Sequence, residues 1–224
     1  MKKEVTLIEN FVSWQGEGPD SGKAMIILRF KTCNRNCAWC DTSVKMRVSA
    51  EASYKLTDIQ EVIFQRAAGI LVTGGEPTVP KHFDETVMLL NELNYPCANV
   101  ETNGFNLYEL ISSVTPTKPV KFIYSPKIFR ESDLIEATDT LEKVAGHHAV
   151  YVKLVHEPNN NLSMEFIDYL VDEHQQLINN QRIWLMPMGT NRADLIKNAG
   201  PVFDLCEKHN FNFSSRSHVI FGFV

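Results

Sequence analysis

The 224-residue sequence contains no apolar stretch near the roughly 20 residues needed to cross a bilayer. Its start, Met1-Lys2-Lys3-Glu4-Val5, runs into a strand-like segment without the longer apolar region of a signal peptide. A cytoplasmic protein without a membrane partner is therefore expected. Basic residues are in deficit: 22 Lys and Arg against 27 Asp and Glu leave a formal charge of -5. A nucleic-acid footprint needs Lys and Arg in excess over one face, so a small-molecule partner fits better. Internal repeats and low-complexity linkers are also missing, and the length suits one domain over 1–224. Cysteine is scarce, with five in all, and three of them crowd into eight positions. That arrangement is poor for a disulfide framework and good for a metal.

Apolar, β-rich runs at 24–30, 69–73, 98–101, 120–124, 150–155 and 182–186 alternate with helix-period segments at 57–67, 83–93, 163–178 and 192–209. In the third helix Phe166, Leu170 and Val171 share a face and Ser163 is the expected N-cap. Gly200-Pro201 is expected to bend or split the last. Strands alternating with helices imply parallel βαβ units with right-handed crossovers. The class is thus α/β, an open sheet or barrel-like arc with about six parallel core strands, too few for a closed eight-stranded barrel. Residues 43–55, polar and weakly patterned, read as a flexible insertion and a candidate lid.

Cys33-Asn34-Arg35-Asn36-Cys37-Ala38-Trp39-Cys40 offers three thiolates in a tight loop. Structural zinc sites and ordinary ferredoxin clusters are closed by a fourth ligand, so three suggest an iron–sulfur cluster with one iron open to a substrate. The alternative is a zinc knuckle completed by His147, His148 or His156, because thiolates suit zinc as well. Trp39 is either part of the ligand site or packing beneath the loop. Cys97 and Cys206, in a strand entrance and a helix, are expected to be buried structural thiols.

Three strand endings follow. Thr73-Gly74-Gly75-Glu76-Pro77 pairs glycines that permit close backbone approach with an acid that can accept from an ammonium. Glu101-Thr102-Asn103-Gly104 places a carboxylate where ribose hydroxyls could bind, and Ser125-Pro126-Lys127 ends a third strand. Ligands gather at strand C-termini in parallel folds. Each alone is ordinary turn chemistry.

With Trp14-Gln15-Gly16-Glu17-Gly18 and Arg29 before the cysteines, Asp41-Thr42 after them, Met186-Pro187, and Arg216-Ser217-His218 near the C-terminus, the ordered set resembles the 7-carboxy-7-deazaguanine synthase family of the radical S-adenosylmethionine superfamily. The resemblance runs along nearly the whole chain. It implies a partial, open TIM-like barrel and conversion of 6-carboxy-5,6,7,8-tetrahydropterin to 7-carboxy-7-deazaguanine with loss of ammonia. The implied cofactors are a 4Fe-4S cluster on Cys33, Cys37 and Cys40, S-adenosylmethionine, and Mg2+ at Thr42.

By the same resemblance Trp39, Cys40, Asp41, Gly74, Gly75, Glu76, Glu101, Ser125, Pro126 and Lys127 contact S-adenosylmethionine. Trp14, Gln15, Gly16, Glu17, Arg29, Thr73, His218 and Val224 contact the pterin, with Arg29 forking onto its carboxylate. A flavodoxin or ferredoxin-type electron donor and a homodimer are further expectations. The tail 211–224 matches loosely, and 43–55 carries no shared pattern. A glycyl-radical activase would use the same chemistry on a partner protein, but Gln15–Gly18 and Arg29 suit a small carboxylate-bearing substrate better.

Overall fold

The computed structural model describes residues 3–40, 42–158 and 160–222. Its elements are β1 (Glu4–Leu7), β2 (Glu9–Trp14), β3 (Ala24–Phe30), α1 (Ser43–Val48), β4 (Ala52–Lys55), α2 (Leu56–Arg66), β5 (Ile70–Gly74), α3 (Pro80–Glu92), β6 (Ala98–Thr102) and α4 (Leu107–Ser113). There follow β7 (Val120–Tyr124), α5 (Glu131–Val144), β8 (Val150–His156), α6 (Asn161–Glu173), α7 (Gln175–Asn179), β9 (Ile183–Pro187), α8 (Arg192–His209), β10 (Asn212–Phe213) and α9 (Ser217–Phe221). Two compact units emerge. The first holds residues up to Gln15 and Gly22–Phe122, the second Gly16–Ser21 and the chain from Ile123 onward.

In the first unit β3, β5 and β6 are parallel, because α2 and α3 carry the chain back between them, and β2 pairs antiparallel with β3 across a short connection. Gln15 and Lys23 close that connection, with Gly22 in the left-handed region at φ 90°. β3 reads as a nearly continuous apolar run because both of its faces are covered. Ile26, Leu28 and Phe30 are fully buried, while Met25 and Ile27 form a cluster with Leu71 on the opposite face. Truncating such a side chain to Ala costs about 2–5 kcal/mol. In the second unit β8, β9 and β10 are parallel, with Val152, Leu154, Ile183 and Leu185 buried between helices.

All six expected strands are present, and the α/β class with mostly parallel strands stands. Several local expectations are corrected. The polar segment 43–55 holds α1 and β4, and β4 pairs antiparallel with β1, so its backbone groups are satisfied by a ladder. The helix expected at 83–93 starts at Pro80, whose fixed φ suits a first helical position. The segment 163–178 divides at the buried His174 into α6 and α7, and the N-cap is Asn160, whose Oδ1 accepts from the Ser163 N–H at 3.1 Å. Gly200-Pro201 does not split α8, because Leu195 before it and Val202 and Cys206 after it are all buried and anchor one continuous helix.

Candidate active site

The three cysteines occupy the loop leaving β3, and that loop is fixed by backbone contacts at its root. The Gly75 N–H donates to the Phe30 carbonyl at 2.9 Å and the Glu76 N–H to the Thr32 carbonyl at 2.7 Å. The two glycines are needed for this approach. A Cβ on Gly75 would collide with the Thr32 carbonyl, and one on Gly74, whose φ is 129°, with the Phe30 backbone. His82 completes the grip: its Nε2 accepts from the Thr32 N–H at 3.1 Å and its ring stacks on Phe30 at 4.6 Å. Burial holds the imidazole neutral, at about 4, so Nε2 stays an acceptor. Sequence reading missed His82; its one signal was a histidine on the apolar face of a helix.

Cys33, Cys37, Trp39 and Cys40 are half-buried, and all five cysteines are thiols. The Arg35 N–H lies 3.4 Å from Cys33 Sγ, the Cys40 N–H bonds the Cys37 carbonyl at 3.2 Å, and Asn103 Nδ2 reaches Asn34 Oδ1 at 2.8 Å. Among the described residues no three His, Cys, Asp or Glu side chains converge as ligands of one ion. A 4Fe-4S cubane takes each thiolate on a separate iron, and a backbone N–H aimed at sulfur suits a thiolate. The donor set fits the cubane. Cys206 is buried, which pushes its thiol up to about 11, as expected of a structural thiol. Cys97 is only half-buried, since it precedes β6 at the margin of the Met25, Ile27 and Leu71 cluster.

Glu76 is buried and accepts hydrogen bonds through both oxygens. Its Oε1 accepts from Thr78 N–H at 3.1 Å and from the hydroxyls of Thr78 and Thr102 at 2.7 Å each, and its Oε2 accepts from the Asn103 N–H at 2.6 Å. Burial raises its carboxyl against the opposing pull of these donors. The residue thus ties the end of β5 to the end of β6.

One row of side chains crosses the strands of this unit. Glu9 faces Arg29 across the β2–β3 ladder, and Arg29 faces Thr73 across β3–β5. Glu101 follows Val100, the partner of Val72, as Thr73 follows Val72, so it extends the row on the same face. Arg29 Nε donates to Glu9 Oε2 at 2.5 Å and Nη1 approaches the buried Thr42 Oγ1 at 3.4 Å. Gln15 Nε2 donates to Glu101 Oε1 at 3.3 Å. Trp14, at the end of β2, is 53% exposed and stands apart from this row. Glu9 was missed in the sequence, although an acid on a strand preceding an arginine strand is its signal. Asp41 and Val224 lie outside the described residues.

In the second unit Glu17 is buried between two cations. Lys153 Nζ donates to its Oε2 at 2.5 Å and Arg216 Nε to its Oε1 at 2.9 Å, while His218 Nε2 lies at 3.8 Å. Burial alone would raise this carboxyl; Lys153, Arg216 and His218 outweigh it and hold it far below the usual carboxylate range. His218 sits against Gly16 so closely that a Cβ there would collide with its Nδ1. Lys127 Nζ donates to the buried Ser125 Oγ at 2.8 Å, with Pro126 between them. His147 is half-buried and His148 exposed, while His156 is buried on Ser163.

Residues 27–170 match the Radical SAM superfamily, from mid-β3 through the cysteine loop to α6. The chain belongs to that superfamily. Membership implies a 4Fe-4S cluster and S-adenosylmethionine as cofactors of this radical SAM protein. A Neisseria meningitidis protein named 7-carboxy-7-deazaguanine synthase is 31% identical over 62% of each chain. Proteins of the same name from Halobacterium salinarum and Hyperthermus butylicus are 28% and 22% identical, over 94% and 96% of this chain and 88% and 91% of their own. The crystal structure of QueE from Escherichia coli superposes with a TM-score of 0.57 at 20% identity, covering 94% of this chain and 92% of that one. Streptococcus suis SuiB bound to S-adenosylmethionine gives 0.52 at 14% identity, over 84% and 51%. Both likenesses are of the fold. No helix among the described residues is long and apolar enough to cross a membrane.

Proposed function

We propose that the protein is a 7-carboxy-7-deazaguanine synthase, converting 6-carboxy-5,6,7,8-tetrahydropterin to 7-carboxy-7-deazaguanine with loss of ammonia. The carrying observation is Arg29, near the end of the strand that leads into the cysteine loop, its guanidinium held by Glu9 and aimed at Thr42. A planar fork fixed in this way suits a carboxylate-bearing small molecule. Relatives matching over nine-tenths of the chain carry the synthase name, which favours this reading over an activase.

Cys33, Cys37 and Cys40 would hold the 4Fe-4S cluster, which with S-adenosylmethionine and one electron from an external reductant would supply radical chemistry at the substrate. The chain's own residues bind and orient. Gly74, Gly75 and Glu76 hold the cysteine loop against β5 and β6, and with Trp39 and Glu101 are the first unit's contacts to S-adenosylmethionine. In the first unit Arg29 takes the substrate carboxylate, with Gln15 and Thr73 beside it as polar contacts for the pterin ring. Thr42 would offer one oxygen to Mg2+, a hard ion that suits oxygen donors. A cytoplasmic homodimer reduced by a flavodoxin or ferredoxin-type donor completes the reading.

Anaerobic incubation of reconstituted protein with S-adenosylmethionine, reductant and the carboxypterin, followed by mass spectrometry, tests it. Deazaguanine product is expected; unchanged pterin beside an intact cluster would overturn the assignment.

A further inference from the structure

His82 is 1% exposed in the first turn of α3, the helix that follows the Glu76 turn in the chain. Its Nε2 accepts the Thr32 N–H at 3.1 Å, so the ring proton sits on Nδ1. That Nδ1 is buried with no hydrogen-bond partner among the described residues. For stability alone this is a poor choice. A buried donor left unpaired costs as much as the bond at the other nitrogen gains, or more, whereas an aromatic hydrocarbon would keep the stack on Phe30 without that cost. On the other side of Thr32, its carbonyl accepts from the Glu76 N–H at 2.7 Å. Both peptide planes around Thr32 are therefore held, one from α3 and one from the end of β5, and the next residue is Cys33.

We propose that His82 is a positioning residue of the cluster loop, fixing the Thr32 peptide so that Cys33 leaves β3 in a set direction, and that this role accounts for a polar side chain kept at a buried position. The inference rests on the superfamily's cluster occupying the loop of Cys33, Cys37 and Cys40. Each residue has only two soft backbone dihedrals, so fixing the planes before and after Thr32 fixes how the chain enters Cys33. A ligand held in place beforehand loses little freedom when the cluster binds. Glu76 secures the carbonyl side alone; the N–H side depends on His82.

The test compares wild type with His82→Phe, His82→Leu, His82→Gln and His82→Asn, prepared anaerobically and reconstituted at pH 8. The two apolar variants lack an acceptor, glutamine places its Oε1 where Nε2 stands, and asparagine reaches only as far as Nδ1. Three quantities are followed: the melting temperature of the cluster-free protein, the rate at which a chelator removes iron, and the electron paramagnetic resonance spectrum of the reduced cluster. At least one apolar variant is expected to melt no lower than wild type. Both should lose iron about fivefold faster, the equivalent of one neutral hydrogen bond, and show an altered spectrum. His82→Gln should restore iron retention and spectrum, and His82→Asn should not. Apolar variants with wild-type iron retention and spectrum overturn the proposal, as does a glutamine variant that restores neither. Apolar variants that both melt below wild type also overturn it, since His82 is then an ordinary stabilising contact. Wild-type protein that takes up no cluster overturns the cluster reading itself, and this inference with it.

Discussion

Glu9 stands directly across the β2–β3 ladder from Arg29 and accepts its Nε at 2.5 Å. The pair is partly buried, the side chains being 18% and 20% exposed, so the contact orients the guanidinium more than it stabilises the fold. Arg29→Lys keeps the charge and loses the fork. A lost hydrogen bond to a charged group costs about 1.5–3 kcal/mol, so kcat/KM for the carboxypterin should fall by roughly 10- to 100-fold. Glu9→Gln should give a smaller loss of the same kind, seen mainly in KM, while iron content stays at the wild-type level.

Replacing Cys33, Cys37 or Cys40 singly with Ala should abolish iron–sulfur absorbance and deoxyadenosine formation together, since each thiolate would hold its own iron. Cys206→Ala, at a buried thiol remote in chemistry, should leave both intact and cost only packing, about 1 kcal/mol. Iron and sulfide analysis of anaerobically prepared variants separates the two outcomes.

Gly75→Ala should be far more damaging than its size suggests, because the new methyl meets the Thr32 carbonyl at the root of the cysteine loop. Relief requires the loop or the end of β5 to move. A cost of more than about 2 kcal/mol, with reduced iron retention after reconstitution, is expected. Gly146→Ala, where a Cβ meets nothing, is the control and should be nearly silent.

His82 gives the stability a pH dependence of known sign. Its folded value of about 4 lies below the ordinary 6.5, so the unfolded chain takes up a proton first as pH falls. Its contribution is complete above about 6.5 and is lost as pH drops toward 4, up to about 3 kcal/mol. His147, His156, His174 and His209 are also held low by burial and add to the same trend. Urea midpoints measured between pH 7.5 and 5 should fall in wild type, and less steeply in His82→Gln, which keeps an acceptor but cannot titrate.

The sequence by itself determined the positions of the six core strands, the cysteine spacing and the glycine pair, because each is written in local period or in residue types that act within a few positions. Apolar runs at β3, β5, β8 and β9 need no partner to be recognised. Only the tertiary structure decided who faces whom. That Glu9 is the partner of Arg29, that His82 accepts from Thr32, that Glu76 accepts from Thr78, Thr102 and Asn103, and that Lys153 and Arg216 share Glu17 all depend on register or on contacts across long stretches of chain. Charged and polar side chains carry no periodic signal of their own. Their roles come from burial, which makes an unpaired charge too costly to keep and so selects each partner.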